Sequence, residues 1–325
     1  MKIGVWKPYK EVLSVSIYKT HVCNYLLQSG HTIIDISPDF ERIPDVDIIW
    51  DATCTGGKSP SYRLLQTKIP IVVTLHGAAN YVLPKDLQIH QSGWRKKLLR
   101  GKHKLLWKLF APKVAKIITV SNYAKTEIQK VFALPSEKII PIYHGYDPHT
   151  FYYDKNQKKN IWLHVSAYQP KKNINRIIEA YASIEAANKP LLHIVSKGYH
   201  PDKTLPKGVV LSAQGCTSEE LAMLYKQATL FIFPSIHETF GIPLVEAMAC
   251  GCAIISANTT SCVEITADAG ICVNPYDIKE LSEAMKRMMM PEVNKEFRER
   301  AISRSKNFSW QYCGELHEKV LLSAV

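Results

Sequence analysis

The chain has 325 residues, of which 46% are hydrophobic and 22% are charged. This balance excludes a disordered, collagen-like or coiled-coil protein, and the length predicts two α/β domains of about 150 residues each. The formal net charge of +12 indicates an anionic partner, which could be a nucleotide, a nucleic acid, a lipid headgroup or an acidic glycan.

The apolar segments do not predict secretion or a membrane span. The opening segment, MKIGVWKPYK, is broken by Lys7 and Pro8, which is typical of a first strand and not of a signal peptide. No run reaches the roughly 18 uninterrupted apolar residues of a spanning helix. We therefore expect a cytoplasmic protein whose membrane contact, if it has any, is peripheral.

The eight cysteines are scattered through apolar segments without paired metal-ligand spacing. Cys250 and Cys252 are one residue apart, which is too close for a zinc knuckle, and no second pair accompanies them. We expect reduced cysteines, most of them in the core, and no metal site.

Strand-like and helical runs alternate along the chain, which predicts parallel sheets flanked by helices. The first half predicts strands at 2–6, 32–36, 47–51, 70–75, 116–120 and 138–142, and helices at 14–29, 60–67, 94–111 and 122–132. Ser121 is the expected N-cap of the last of these helices.

A polar, unpatterned stretch from Gly145 to Asn160 predicts a linker, and the alternation restarts after it. The second half predicts strands at 161–166, 191–195, 208–212, 229–233 and 253–256, and helices at 173–187, 218–227, 242–250, 277–289, 293–306 and 309–323. The boundary between the two domains is expected in this linker.

The most informative segment is PSIHETFGIPLVEAMACGCAIISA, which runs from Pro234 to Ala257. A strand leads into a loop that holds Glu238 and Gly241, and Pro243 suits the first turn of the following helix. Such a loop at the carboxyl end of a parallel strand is where open α/β sheets bind ligands. The amides at the helix start favour a phosphate, and Gly241 lets the backbone approach it closely.

Two carboxylates close to a phosphate are best explained if each binds different hydroxyl groups of the ligand. Glu238 would face the hydroxyls of a sugar, while Glu246 could accept hydrogen bonds from ribose hydroxyls. The alternative is that Glu238 is a solvated loop residue and Glu246 a favourable charge in the first turn of a helix.

This segment resembles the signature of the retaining, nucleotide-sugar-dependent glycosyltransferases of family four. In that signature two glutamates, separated by seven residues, lie in a pattern like PSxxEGFGLPxLEAMAxG. The chain follows the pattern, with Thr239 in place of the usual Gly. Segments such as VSAYQPKKNI are also similar to the family, so that the resemblance covers most of the chain and is stronger after the linker.

The resemblance implies an α/β protein of the GT-B fold, with two Rossmann-like domains whose parallel sheets face a central cleft. Residues 1–147 would form the acceptor-side domain, with the carboxyl-terminal helix 309–325 crossing back to it. Residues 148–308 would bind the nucleotide sugar.

The resemblance also implies roles for particular residues. Glu246 would hold the ribose, Lys172 the leaving diphosphate, and Glu238 with the amides around Phe240 the sugar. The donor-binding residues would be Lys171, Lys172, Thr217, Glu238, Phe240, Gly241, Ile242 and Glu246. The catalytic residues would be Glu238, Lys172 and His76, the last of which would face the donor sugar from the first domain. No metal or other cofactor is expected because a fixed ammonium and helix amides stabilise the departing diphosphate.

Some of these residues have simpler alternatives, and some positions depart from the family pattern. Lys171 and Lys172 could be a solvated helix start, and His76 a core or loop histidine whose hydrogen bonds are satisfied within the protein.

Relatives often carry Arg where this chain has Ala167. Lys171 would substitute for it, as in a branch that includes bacterial mannosyltransferases. The glycine-rich loop after the first strand is replaced by WKPYKEVLSVS, which favours acceptor binding there.

The expected reaction is transfer of a hexose, with retention of configuration, to a glycan or lipid-linked acceptor. Mannose from GDP-mannose is favoured, and a UDP-hexose comes next. The alternatives are a glycosidase that uses Glu238 and Glu246 as acid and base, a sugar-nucleotide epimerase of the same fold, and an inactive nucleotide-binding or adaptor protein.

The segment from Trp94 to Lys116 reads WRKKLLRGKHKLLWKLFAPKVAK and contains no acidic residue. Leucines interleave with cations, which is the pattern of a basic amphipathic helix on an anionic membrane surface. The alternative is a core-packing helix with a solvated outer face, and Gly101 is expected to interrupt the helix. Nucleic acid is not an expected partner because the sequence shows no recognisable nucleic-acid-binding motif.

Overall fold

The computed structural model describes residues 1–88 and 93–325. These residues form two compact units. The first contains Met1–Lys85, 93–145 and Ser309–Val325, and the second contains Tyr146–Phe308 together with 86–88. Each unit is built on one six-stranded parallel sheet with flanking helices, which confirms the predicted α/β fold class.

The sheet of the first unit has the strand order β2-β1-β3-β4-β5-β6. Its strands are β1 (Lys2–Trp6), β2 (Thr32–Ile36), β3 (Ile48–Cys54), β4 (Ile71–Leu75), β5 (Val114–Thr119) and β6 (Ile139–Pro141). Its helices up to the linker are α1 (Leu13–Gln28), α2 (Ala79–Val82), α3 (Trp94–Phe110) and α4 (Asn122–Phe132). All five residues of β4 are buried, as expected for an inner parallel strand covered on both faces.

The sheet of the second unit has the order β12-β11-β10-β7-β8-β9. Its strands are β7 (Ile161–Ala167), β8 (Leu191–Lys197), β9 (Val209–Ser212), β10 (Ala228–Phe233), β11 (Ala253–Ala257) and β12 (Gly270–Val273). Its helices are α5 (Ile174–Ala182), α6 (Ser218–Gln227), α7 (Ile242–Ala249), α8 (Ser261–Thr266), α9 (Ile278–Arg287) and α10 (Pro291–Ser305). The chain winds outward from β7 to β9 and then returns to β10, which pairs with β7 on its other side.

This reversal places the loops that follow β7 and β10 side by side at the carboxyl edge of the sheet. The register sets Leu230 opposite Trp162 and Phe231 opposite Leu163, so the two strands end close together. A crevice at such a topological switch point is the usual ligand site of an open α/β sheet. The segment singled out from the sequence therefore begins at the switch point.

The last helix, α11 (Trp310–Leu322), belongs to the first unit and packs against α1. Its buried Cys313 and Leu321 share a core with Tyr18 and Leu26 of α1. The Tyr25 hydroxyl of α1 donates a hydrogen bond to the Glu318 carboxylate at 3.1 Å.

Several predicted elements differ in detail. Gly101 does not interrupt α3, since the helix continues to Trp107 and Phe110, which are fully buried in the core. The helix expected at 60–67 is a short 3-10 helix, Tyr62–Gln66. α5 ends at Ala182 and not at 187, and the Lys189 ammonium donates to the carbonyl oxygens of Tyr181 in its last turn and of Ile184 just beyond it.

The sequence did not predict β12 or α8. Both have six residues or fewer, which is too short for a hydrophobic period to be read. The N-cap at Ser121 is confirmed, since its side chain accepts a hydrogen bond from the Ala124 amide at 2.9 Å.

Two helical glycines provide a matched test of packing in the first unit. A Cβ at Gly101 of α3 meets nothing within 4 Å, whereas one at Gly314 of α11 lies 2.3 Å from the Tyr25 ring. We expect Gly101→Ala to stabilise the protein by about 0.5–1 kcal/mol because alanine favours the helix. Gly314→Ala should destabilise it by about 1–3 kcal/mol through overpacking against α1. Urea unfolding measures both, and equal effects of the two substitutions would contradict the packing described.

Candidate functional site

The loops after β7 and β10 bring Lys172 and Glu238 into direct contact. Lys172 Nζ donates a hydrogen bond to Glu238 Oε1 at 2.6 Å, and the two side chains are only 12% and 10% exposed. The ammonium group also lies 5.0 Å from the centre of the Phe233 ring. The sequence predicts one site for these two residues but does not predict the ion pair between them.

Asn173 fixes the loop that carries Lys172. Lys171 and Lys172 do not begin a helix; they lie in a 3-10 turn, and Asn173 follows in the left-handed conformation with φ of 66° before α5 starts. Its side-chain amide donates to the carbonyl oxygens of Pro234 at 3.0 Å and Pro275 at 2.5 Å. One buried amide therefore joins the loops that follow β7, β10 and β12.

The lysines also determine the charge state of Glu238. Burial alone would raise the pKa of this carboxyl, but the positive charges of Lys172 and then Lys171 outweigh burial and lower the pKa to about 2. Glu238 is therefore a carboxylate at neutral pH. A carboxylate accepts hydrogen bonds and suits the recognition of hydroxyl groups.

Phe240, Gly241 and Ile242 form the corner between the Glu238 loop and α7. Gly241 is the N-cap of α7 and has φ of 99°, a conformation that favours glycine. Phe240 is buried, with its ring packed edge-on against Phe308 at 5.9 Å between centroids. A buried aromatic contact therefore holds the corner, and Ile242 begins the helix, with Pro243 in its first turn as predicted.

Glu246 lies further along α7, beside the Tyr225 hydroxyl of α6. Burial raises the pKa of its carboxyl to about 7, and the Tyr225 hydroxyl counteracts part of this rise. The two glutamates of the segment thus have pKa values shifted in opposite directions. Glu238 is therefore ionised at neutral pH, whereas Glu246 keeps its proton to a much higher pH than Glu238 does.

Thr217, expected in the base-binding loop, is the N-cap of α6. Its hydroxyl accepts from the Glu220 amide at 3.2 Å, and the Glu220 carboxylate accepts from the Thr217 amide at 2.8 Å. The side chain is exposed at the start of this helix. The structure thus gives Thr217 a capping role, and its contact with a nucleotide stays a prediction.

His76 belongs to the first unit, directly after β4. Its Nε2–H donates to the carbonyl oxygen of Ala52 at 2.9 Å, and its ring stands edge-on to Tyr18 at 5.1 Å between centroids. Burial lowers the pKa of the imidazole to about 4. His76 is therefore neutral at pH 7, with Nδ1 unprotonated and able to accept a hydrogen bond.

A hydroxyl-rich segment beside Glu238 was not predicted as part of the site. Thr260 Oγ1 accepts a hydrogen bond from the Glu238 amide at 3.3 Å, and Ser261 Oγ donates to the Phe240 carbonyl at 3.1 Å. The run Thr259–Ser261, which begins two residues beyond the end of β11, is the sequence feature that could have indicated this contact, because hydroxyl side chains near a strand end often hydrogen-bond to backbone.

No cluster of three or more His, Cys, Asp or Glu side chains could hold a metal ion within residues 1–88 and 93–325. The eight cysteines are free, and five of them are buried. The helices of the same two stretches are all too short or too polar to cross a bilayer.

The raised pKa of Glu246 predicts a pH dependence of stability. The folded chain holds a proton at Glu246 up to a pH of about 7, whereas the unfolded chain releases it near the ordinary value of 4.5. The contribution of Glu246 to the free energy of unfolding should therefore fall as pH rises through this window, by about 3 kcal/mol in total, and be flat above it; the difference between wild type and a Glu246 variant isolates it from the histidines that titrate in the same range. Glu246→Gln should match the wild type near the lower limit and exceed its stability by this amount at about pH 8. Urea titrations of both proteins test this, and parallel pH profiles would contradict it.

Two family models match the chain. Residues 147–308 match the model described as Glycosyl transferases group 1, and residues 40–150 match the model described as Glycosyltransferase Family 4. The matched segments correspond to most of the described structure. They include Lys172, Glu238 and Glu246.

Two proteins of similar sequence are named mannosyltransferases. The O-antigen chain mannosyltransferase B of Escherichia coli is 26% identical over 61% of this chain and 58% of its own length. The chain therefore spans less than two thirds of that relative. The MMP alpha-(1->4)-mannosyltransferase of Mycolicibacterium hassiacum is 26% identical over 83% of this chain and 69% of its own length.

A solved structure shows the same fold over the whole chain. Anabaena HepE in complex with UDP-glucose aligns with a TM-score of 0.74 over 99% of this chain and 100% of HepE, at 14% sequence identity. Together with the two family models, this likeness confirms the resemblance found in the sequence. The chain belongs to glycosyltransferase family four and has the GT-B fold.

Proposed function

We propose that this glycosyltransferase is a retaining hexosyltransferase that takes its sugar from a nucleotide diphosphate donor without a metal ion. The observation that carries the proposal is the contact between Lys172 and Glu238 at the switch point of the second sheet. This contact joins a cation that suits a diphosphate with a carboxylate that suits sugar hydroxyls. In the absence of a donor each charge is compensated by the other; a bound donor would supply the diphosphate to Lys172 and the hydroxyls to Glu238.

In the proposed complex, the donor diphosphate takes the place of Glu238 beside Lys172, with Lys171 and the amides of Gly241 and Ile242 nearby. Glu238 then accepts hydrogen bonds from the sugar, and Glu246 accepts them from the ribose hydroxyls. The ammonium and the first turn of α7 stabilise the charge that develops on the leaving group. This arrangement supplies the electrostatic role for which other enzymes use a divalent cation.

The proposed transfer proceeds on one face of the sugar. The bond between the anomeric carbon and the diphosphate oxygen breaks, and a bond from the same carbon to the acceptor oxygen forms. The acceptor proton moves to the departing diphosphate oxygen, so no separate base is required. The neutral imidazole of His76, with its unprotonated Nδ1, suits a hydrogen bond from a sugar hydroxyl, and its role remains a prediction.

Mannose from GDP-mannose is the favoured donor because both relatives described above are named mannosyltransferases. A UDP-hexose is the second candidate because HepE was solved in complex with UDP-glucose. Thermal-shift assays with GDP, UDP, dTDP and their sugars decide between the two, since the stabilisation grows with ligand concentration relative to Kd.

Glu238→Ala should abolish transfer while preserving the stabilisation by the matching nucleoside diphosphate. The carboxylate contacts the sugar in the proposed complex, whereas Lys172 and Glu246 hold the nucleotide. The matched control is Glu283→Ala, which removes an exposed acid from α9 of the same unit. Radiolabelled sugar transfer and thermal shift are measured for both variants. Loss of nucleotide stabilisation together with transfer would refute the separate role of Glu238.

We further propose that α3 binds an anionic membrane surface near a lipid-linked acceptor. Trp94, Leu98, Leu105 and Leu109 are each at least 50% exposed, and their spacing places them on one face of the helix. The opposite face is anchored by Trp107, whose indole N–H donates to the Gly57 carbonyl at 3.2 Å. The outward face is thus an apolar stripe. A helix that only packed on the core would be expected to carry polar residues on this face.

Cations border this stripe on both sides. They are Arg95, Lys97, Lys102, Lys104 and Lys108, and α3 contains no acidic residue. The helix can therefore insert its apolar side chains at a lipid interface while its cations contact anionic headgroups. Such a position would suit a peripheral enzyme that modifies a membrane-bound glycan.

The double variant Leu98→Gln/Leu105→Gln should bind phosphatidylglycerol vesicles at least tenfold more weakly than the wild type. Each leucine loses about 1.5–3 kcal/mol of apolar burial. The control is Leu191→Gln, an isolated exposed leucine of the second unit. Vesicle co-sedimentation at low and high salt measures the effect, with phosphatidylcholine vesicles as the neutral surface. Unchanged binding of the double variant would exclude α3 as the contact.

A further inference from the structure

Thr260 has a backbone conformation that is rare for its residue type. It lies between β11 and α8 with φ of 59° and ψ of −153°. This region is essentially restricted to glycine, and a β-branched side chain makes it less favourable still. Such strain persists only where the surrounding structure holds it, and it concentrates at functional sites.

The Thr260 side chain does not cap the helix that it precedes. Thr260 is the N-cap residue of α8, a position where threonine ordinarily accepts a hydrogen bond from its own helix, yet it makes no such bond. By contrast, the N-cap side chains of Ser121, Thr217 and Asp277 each accept from their helices. The Thr260 hydroxyl accepts instead from the backbone amide of Glu238 at 3.3 Å.

The next residue binds the other backbone polar group of Glu238. The Ser261 amide donates to the Glu238 carbonyl at 3.4 Å, and the Ser261 hydroxyl donates to the Phe240 carbonyl at 3.1 Å. Both backbone polar groups of Glu238 are therefore bound by two consecutive residues of the β11–α8 loop. β11 and β7 pair with opposite edges of β10, so the β11–α8 loop and the loop that carries Lys172 follow different neighbours of the strand that leads to Glu238.

We propose that Thr260 is a positioning residue for Glu238, and that its strained backbone places the hydroxyl where it fixes the Glu238 peptide. The inference rests on the proposed role of Glu238 in sugar recognition. When a donor separates Lys172 from Glu238, the ion pair no longer holds the carboxylate. The Thr260 hydroxyl and the Ser261 groups then keep the backbone in place, so that the carboxylate meets the sugar in a defined orientation.

Three substitutions separate this role from a purely structural one. Thr260→Ser keeps the hydroxyl, Thr260→Val keeps the shape but removes the hydroxyl, and Thr260→Gly removes both and relieves the backbone. We expect the serine variant to transfer sugar at close to the wild-type rate. The valine and glycine variants should lose about 10- to 100-fold in kcat with little change in the donor KM, because an imprecisely held group lowers the rate of the chemical step.

The glycine variant should be at least as thermally stable as the wild type in spite of its lower activity. A purely structural role would make activity follow stability, so that the glycine variant would be fully active. That result, or a valine variant with wild-type kcat, would overturn the inference.

An amide measurement tests the same contact without relying on turnover. In protein labelled with ¹⁵N-glutamate, the Glu238 amide should exchange with solvent faster in the valine and glycine variants than in the serine variant. Equal exchange in all three would also overturn the inference. Glu238→Ala, assayed in parallel, separates the two hypotheses: if it retains transfer, the role proposed for Glu238 fails, and the inference about Thr260 fails with it. If Glu238→Ala is inactive while Thr260→Val is normal, only the inference about Thr260 fails.

Discussion

The organisation of the second unit depends on an ion pair in a nearly closed environment. Lys172 and Glu238 are each about nine-tenths buried, so each supplies the counter-charge that compensates for the desolvation of the other. The pair forms because the strand order reverses between β9 and β10. The chain returns to pair β10 with β7, and the carboxyl ends of these two strands therefore lie together. Asn173 then ties these loops to the loop after β12, so the position of the ammonium follows from the topology of the sheet.

The two glutamates of the segment show how one short stretch of chain can hold two chemically different acids. Glu238 lies beside two lysines, and its pKa falls to about 2; Glu246 lies in an apolar part of α7, and its pKa rises to about 7. Their environments, and not their residue type, set this difference. Under the proposed binding mode, the permanently charged acid recognises the sugar and the readily protonated acid recognises the ribose.

The segment from Pro234 to Ala257 could be predicted as a ligand site because its spacing places a strand end, a glycine and a helix start in order. The strand pattern likewise predicted two parallel sheets. The hydrogen bond from Lys172 to Glu238 could not be predicted, since it joins residues from separate loops and depends on which strands pair. The hydrogen bond between the Glu238 amide and the Thr260 hydroxyl could not be predicted for the same reason. Gly101 was misjudged because the buried anchors at the end of α3 outweigh a weak local helix preference.

The ion pair has a consequence for the binding of partial ligands. A small anion that displaces Glu238 from Lys172 would leave a buried carboxylate stranded, and that penalty would oppose its retention. Under the proposed binding mode, a molecule that presents both an acidic group and neighbouring hydroxyls would satisfy both partners. The nucleotide left after the proposed transfer would no longer satisfy Glu238, and the returning carboxylate would compete with it for the ammonium. In this way the resting contact would reject incomplete ligands and help to expel the by-product.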